Sequence, residues 1–231
     1  SIVDLSDAGT QPMLSEDQNI AIVFNGEIYN HIEISKELEA AGYTFKSRCD
    51  TEVILHGFSH WGTGLLDKLV GMFAFAAWNS REKELLLARD HYGMKPLYFY
   101  QDNRKLAFAS ELSALLTLND LDNAFDPQAF LDYFSYRYTL APLTFFKNIK
   151  RIPAGYALHI KNNAGEMKPY SKLNYSEPSP ADQKSIMEYQ DELDHLFSQA
   201  INDQLMGDVP IGVLLSGGID SSSIAYYVHK N

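Results

Sequence analysis

One cysteine, Cys49, occurs in 231 residues. No internal disulfide can form, and a reducing compartment, the cytoplasm, is the expected setting. Basic residues are also scarce: 19 Lys and Arg stand against 30 Asp and Glu, a net charge of −11. They are scattered, so no row of cations faces a row of phosphates, and nucleic acid is not an expected partner. The acidity serves solubility. No apolar run approaches the length that crosses a bilayer, so no membrane partner is expected either. Internal repeats and low-complexity tracts are absent from the sequence. Methionine does not open the chain, which starts SIVDLSDAG in a strand-like alternation; the expectation is a chain that begins within a domain.

What is present suffices for one good-sized core plus a fragment of a second, since 45% of residues are hydrophobic and 13% aromatic. Asn19 to Phe24 form a β-branched apolar run that predicts a strand ending in a turn at Asn25-Gly26. Asn30, with Glu33 three residues on, predicts a capped helix start, and Gly42 its end. Asp50 predicts the N-cap of a second helix, TEVILHGFSHW. The runs MFAFAAWN, ELLLARD, PLYFY and LAFAS are apolar on both faces and predict strands buried between other layers. Short helices are predicted over Glu111 to Leu116 and Pro127 to Tyr136. The fold class is α+β, with sheets covered by helices. The polar stretch Asn174 to Lys184, with two prolines, predicts a linker. Beyond it, Ile186, Tyr189, Leu193, Phe197, Ala200, Ile201 and Leu205 mark one face of a long helix, and VPIGVLLS predicts a strand that leads into SGGIDSS.

In that last segment Gly217 and Gly218 let the backbone turn tightly and bring its N–H groups against an anion, and the following helix start adds positive potential. Ser216, Ser221 and Ser222 can donate further hydrogen bonds to phosphate oxygens. With no lysine, this is not the phosphate loop of the common nucleoside triphosphatases. It resembles the SGGxDS pyrophosphate loop of ATP pyrophosphatases; the plain alternative is a strand-to-helix turn capped by serines. A second stretch, FNGEIYNH, sets the Asn25 amide beside the Gly26 N–H, two donors that suit one developing oxyanion. Glu27 could hold a substrate ammonium. Taken alone, FNGE is also a plain strand end with a turn. His56 and His60, four apart, lack a third ligand, so no metal site is expected there. Arg89, Asp90 and Lys95 suit a structural turn between strands, and Tyr133, Tyr136 and Tyr138 suit core and surface aromatics.

These stretches do not stand alone. SIVDLSDAGTQPM, FNGE, Asp50 in SRCDTEV, LVGMFAFAAWN, LARDHYGMKPLYF, FASEL, RIPAGY and SGGIDSS occur in this order. Together they resemble the glutamine-hydrolysing asparagine synthetase family over essentially the whole chain. The resemblance implies a glutaminase domain of the N-terminal-nucleophile type, an αββα sandwich, over residues 1–173. A linker at 174–184 and the beginning of an ATP pyrophosphatase domain at 185–231 would follow. It implies glutamine, aspartate and ATP as substrates, Mg2+ with the ATP in the complete enzyme, and allows a homodimer. Asn25 and Gly26 would form the oxyanion hole; Glu27 and Asp50 would hold the glutamine backbone, with Ser1, Ile2 and Val3 lining its pocket. Leu215, Ser216, Gly217, Gly218, Asp220 and Ser221 would form the ATP loop.

The sequence also departs from that family. The nucleophilic cysteine is expected a few dozen residues before Ser1, and the arginine that grips the glutamine carboxylate would precede this chain too. Cys49 lies in mid-chain without the free α-amine that serves as base, and reads as an ordinary small residue. The chain by itself is therefore expected to be inactive. Two other readings stay open: an amidotransferase or β-lactam-synthetase-like relative with a different acceptor, and a non-catalytic glutamine-binding module.

Overall fold

The structure, a computed structural model, describes residues 9–172 and 184–230. Ser1, Ile2 and Val3 and nearly all of the expected linker lie outside the described residues. The chain divides into two units, Thr10–Phe45 with Asp50–Lys172, and Ser1–Gly9 with Lys46–Cys49 and Leu173–Asn231.

The larger unit carries strands β1 (Met13–Leu14), β2 (Ile20–Ile28), β3 (Gly71–Asn79), β4 (Glu84–Arg89), β5 (Tyr98–Gln101), β6 (Leu106–Ala109), β7 (Ile149–Arg151), β8 (Tyr156–Lys161) and β9 (Ala164–Pro169). Its helices are α1 (His31–Ala40), α2 (Asp50–Trp61), α3 (Leu112–Leu116) and α4 (Pro127–Tyr136), with a 3-10 turn at Gly62–Asp67. A six-stranded sheet runs β1-β2-β3-β4-β8-β9 and a three-stranded one β6-β5-β7. All pairings are antiparallel.

Strand β3 shows how the layers arise. Alternation sends Phe73, Phe75 and Ala77 to one face and Ala74 and Ala76 to the other. All five are buried. The small pair joins Leu87 and Leu158 of the large sheet with Leu97, Phe99 and Ile152 in one core between the sheets. The opposite face of the large sheet carries Ile22 and Leu86, and α2, packed on β2 and β1, contributes Ile54 and Phe58 to the buried set. Each such side chain contributes on the order of 2 kcal/mol by leaving water. A second small core of Tyr100, Leu115 and Ile149 lies where α3 packs on β5 and β6. The expected α+β sandwich, two sheets between helices, is what forms.

Three local expectations are corrected. The strand expected to stop at Asn25-Gly26 continues through both to Ile28, paired all the way with β3; ladder pairing overrides the local turn signal. The Asn30 side chain does not cap α1. Its Nδ2 donates to Lys68 O at 2.9 Å and its Oδ1 accepts from Val70 N at 2.9 Å, tying the helix start to the approach of β3. Asp50 is the first residue of α2, and its carboxylate reaches β2, accepting from Ile28 N at 3.0 Å.

The smaller unit contains α5 (Ile186–Asp203) and α6 (Ile219–Lys230). A capping box closes the start of α5, with Ser185 Oγ accepting from Glu188 N and the Glu188 carboxylate from Ser185 N. Phe197 meets Tyr227 edge-on at 5.1 Å, and Tyr227 Oη donates to Asp194. The expected strand at VPIGVLLS does not form. A strand is stable only in a ladder, and among the described residues nothing pairs with this segment; Leu214 is 95% exposed. No helix among the described residues is long and apolar enough to cross a membrane.

Candidate active site

The geometry begins at one edge of β2. Tyr29 N donates to Val70 O, so the register turns the N–H groups of the odd-numbered residues toward β3 and those of Phe24, Gly26 and Ile28 away from it. Phe24 N is met by Gln11 Oε1 at 2.6 Å and Ile28 N by Asp50 Oδ2 at 3.0 Å. Between them the Gly26 N–H has no partner among the described residues. Gly26, at φ 153°, also fixes the spacing of the strands: a Cβ here would lie 2.0 Å from Met72 O and 2.7 Å from Phe73 Cα. Gly71 mirrors it, its Cβ position 2.2 Å from Glu27 O. The two backbones approach more closely than any side chain allows.

Val23, Asn25, Glu27 and Tyr29 share the other set of positions, facing the second sheet. Asn25 lies opposite Ala74, and its Nδ2 donates to Ser110 Oγ at 3.1 Å, across the sandwich. Gln11, Asn25, Ala74, Phe108 and Ser110 help to line a cavity of about 240 Å3. Two residues further along, Glu27 is 7% exposed. Burial pushes its carboxyl up, the neighbouring Asp50 adds to the rise, and the Lys95 ammonium opposes it. Asp50 is 5% exposed. The buried Tyr29 hydroxyl has no hydrogen-bond partner among the described residues, and burial together with Glu27 and Asp90 pushes it up to about 12.

The turn after β4 supports this cluster. Asp90, 1% exposed, accepts from Met94 N and Lys95 N at 2.9 Å, Tyr92 N at 3.1 Å and Phe73 N at 3.3 Å. Arg89 donates to Gly93 O at 2.6 Å, Lys95 O at 2.7 Å and Ile152 O at 2.8 Å. These two side chains satisfy a loop's backbone, and the loop sets the Lys95 charge near Glu27. The structural role expected of Arg89 and Asp90 is the one seen. His56 and His60 pack on the Tyr43 ring at 5.1 and 5.5 Å. Tyr133, Tyr136 and Tyr138 are exposed, and Cys49 is buried.

In the smaller unit, Ser216 to Gly218 lead into α6, with Gly217 at φ 82°. Ser221 Oγ accepts from Ser216 N at 3.3 Å, lies 3.0 Å from Ser216 Oγ, and donates to Gly218 O at 3.1 Å. Its hydroxyl thus holds the loop's own shape. Leu215 and Asp220 are exposed, Asp220 in the first turn of α6. Among the described residues no group of three or more His, Cys, Asp or Glu gathers as a metal site.

The structure thus gathers Asn25, Gly26, Glu27 and Asp50 around the end of β2, but only Asn25 of the four lines the 240 Å3 cavity. Sequence reasoning missed Gln11, Tyr29 and Ser110. FASEL contained Ser110, yet nothing local tied it to a residue 85 positions away.

This sandwich, with amide donors at the end of one central strand, defines an amidotransferase-type fold. It is similar to glutamine phosphoribosylpyrophosphate amidotransferase from B. subtilis, at a TM-score of 0.51 and 20% identity over 74% of this chain and 34% of that one. Residues 1–171 match the glutamine amidotransferase domain and residues 192–231 the asparagine synthase family, and the chain belongs to the glutamine amidotransferase family. Over 97% of its length it is 39% identical to asparagine synthetase [glutamine-hydrolyzing] 1 of Bacillus subtilis, covering 35% of that protein. It is 35% identical to amidase chyE of Penicillium rubens, again over 97% of this chain and covering 33% of the relative. The chain spans about a third of the length of these curated relatives.

Proposed function

We propose that this chain carries the glutaminase region of a glutamine-dependent asparagine synthetase, residues 1–173, joined by a linker at 174–184 to the beginning of the ATP-using domain at 185–231. Glutamine hydrolysis supplies ammonia, which amidates an aspartyl-adenylate made from aspartate and ATP. The observation that carries the reading is the Gly26 N–H, without a partner among the described residues, on a strand edge where Phe24 N and Ile28 N are met, next to the Asn25 amide. When a thiolate attacks the glutamine amide, the carbonyl oxygen gains negative charge, and two fixed donors stabilise that charge without reorganising. Glu27 and Asp50 supply carboxylates to hold the glutamine backbone, and Ser1, Ile2 and Val3, outside the described residues, are assigned to the same substrate by the family pattern. The buried Cys49 does not supply the thiolate.

In the smaller unit, Leu215, Ser216, Gly217, Gly218, Asp220 and Ser221 form the loop for the pyrophosphate end of ATP. The start of α6 offers backbone N–H groups and positive potential. One exposed carboxylate at that helix start suits Mg2+, which is usually held by one or two carboxylates together with substrate phosphates; Asp220 would share the ion with ATP and offset the phosphate charge. The identity shared with a fungal amidase favours a second reading for the acceptor alone, in which the same glutaminase feeds ammonia to a different carboxylate.

The test is ammonia release from glutamine by the full-length protein. Asn25→Ala should lower kcat by about 100-fold or more. Activity equal to wild type in that variant would remove the oxyanion assignment.

A further inference from the structure

Resting on that glutaminase reading, we infer that Ser110 is a positioning residue for the reaction: its hydroxyl accepts one N–H of the Asn25 amide and holds that amide at the cavity wall. Ser110 directly follows β6, a strand of the sheet opposite Asn25, and precedes α3. Its Oγ accepts from Asn25 Nδ2 at 3.1 Å, and both residues line the cavity. An asparagine amide has two N–H donors at one end and an acceptor at the other, and its terminal torsion is broad and roughly two-fold. Asn25 is itself exposed, so burial alone does not hold the amide in place. Turned the wrong way, its oxygen would repel the developing oxyanion. The bond to Ser110 consumes one N–H and leaves the second for substrate. Gln11 and Asp50 complete the selection on the backbone side by occupying the Phe24 and Ile28 N–H groups, which flank Gly26.

The test compares Ser110→Ala and Ser110→Thr in the full-length protein. Ser110→Ala should lower kcat for glutamine hydrolysis about tenfold, with KM changed less than about twofold and thermal unfolding unmoved. Threonine keeps the acceptor and should restore the rate. In 15N-labelled protein, the Asn25 side-chain amide signals should shift in the alanine variant and return in the threonine variant. A wild-type kcat in Ser110→Ala, or a rate loss that only follows a loss of folded protein, would overturn the proposal. If the full-length wild type releases no ammonia from glutamine, the glutaminase reading itself fails; if Asn25→Ala leaves that release untouched, the oxyanion assignment fails, and in both cases the amide signals still judge the Ser110 contact. Signals that do not move in Ser110→Ala overturn that contact.

Discussion

The two glycine motifs of this chain are held in place in opposite ways. Around Asn25-Gly26, remote residues supply every constraint: Gln11, Asp50, Ser110 and the backbone of β3 all reach in from other elements. Around Ser216 to Gly218 the loop is braced by its own Ser221, five residues from Ser216. Space differs in the same sense. A Cβ on Gly26 meets backbone at 2.0 Å, whereas one on Gly217 meets nothing within 4 Å. A motif's letters therefore give its chemistry, but surrounding packing decides how rigidly that chemistry is presented.

The largest expected effect removes a support of the constrained site. Asp90→Ala strands the buried Phe73 N–H of β3 and three N–H groups of the partly exposed loop after β4, and should cost about 3–5 kcal/mol in urea unfolding. A loss below about 1 kcal/mol would mean that the loop around Asp90 rearranges freely. Next, Gly26→Ala should cost about 3 kcal/mol, since backbone and not a mobile side chain must yield. Gly217→Ala carries only the positive-φ penalty of about 1 kcal/mol, confined to the smaller unit. Equal losses would erase the contrast between the motifs.

The smallest effect is electrostatic. The folded state holds the Glu27 carboxyl above its ordinary value of 4.5, so the folded protein binds the proton more tightly than the unfolded chain. Stability from this group is complete below pH 4.5 and is lost as pH rises to the raised folded value. Glu27→Gln should remove that slope and stabilise the protein at pH 7 by about 1 kcal/mol or less. A variant less stable than wild type at pH 7 would show that the Lys95 charge outweighs burial and Asp50.

Much of this fold is readable in advance wherever a segment's pattern and its surroundings agree. The strands at MFAFAAWN and ELLLARD lie between layers, and their unbroken apolar runs say so. Pro127 to Tyr136 forms its helix as expected, with Asp126 accepting from Gln128 N and Ala129 N at its start. Disagreement arises where a partner decides the outcome. Asn25-Gly26 is a strong local turn signal, overruled because Gly26 and Gly71 let two strands come together. VPIGVLLS has strand chemistry but no pairing strand among the described residues. Asn25 and Gly26 were legible as donors because their chemistry is local. The supports from Ser110 and Gln11 were not, since each acts on a residue that only folding brings near.

The satisfied edge of β2 has a consequence for how the molecule behaves among its own copies. A bare row of strand amides is a template on which another chain can assemble, and proteins that expose one risk sheet-to-sheet aggregation. Beyond the short β1, that row is interrupted by the Gln11 amide and the Asp50 carboxylate, which leave, among the described residues, the Gly26 donor between them. One donor can bind an oxygen atom but cannot register an incoming strand. The same two side chains that frame a chemical site also keep a potential polymerisation surface closed, and Gln11→Ala would weaken both safeguards at once.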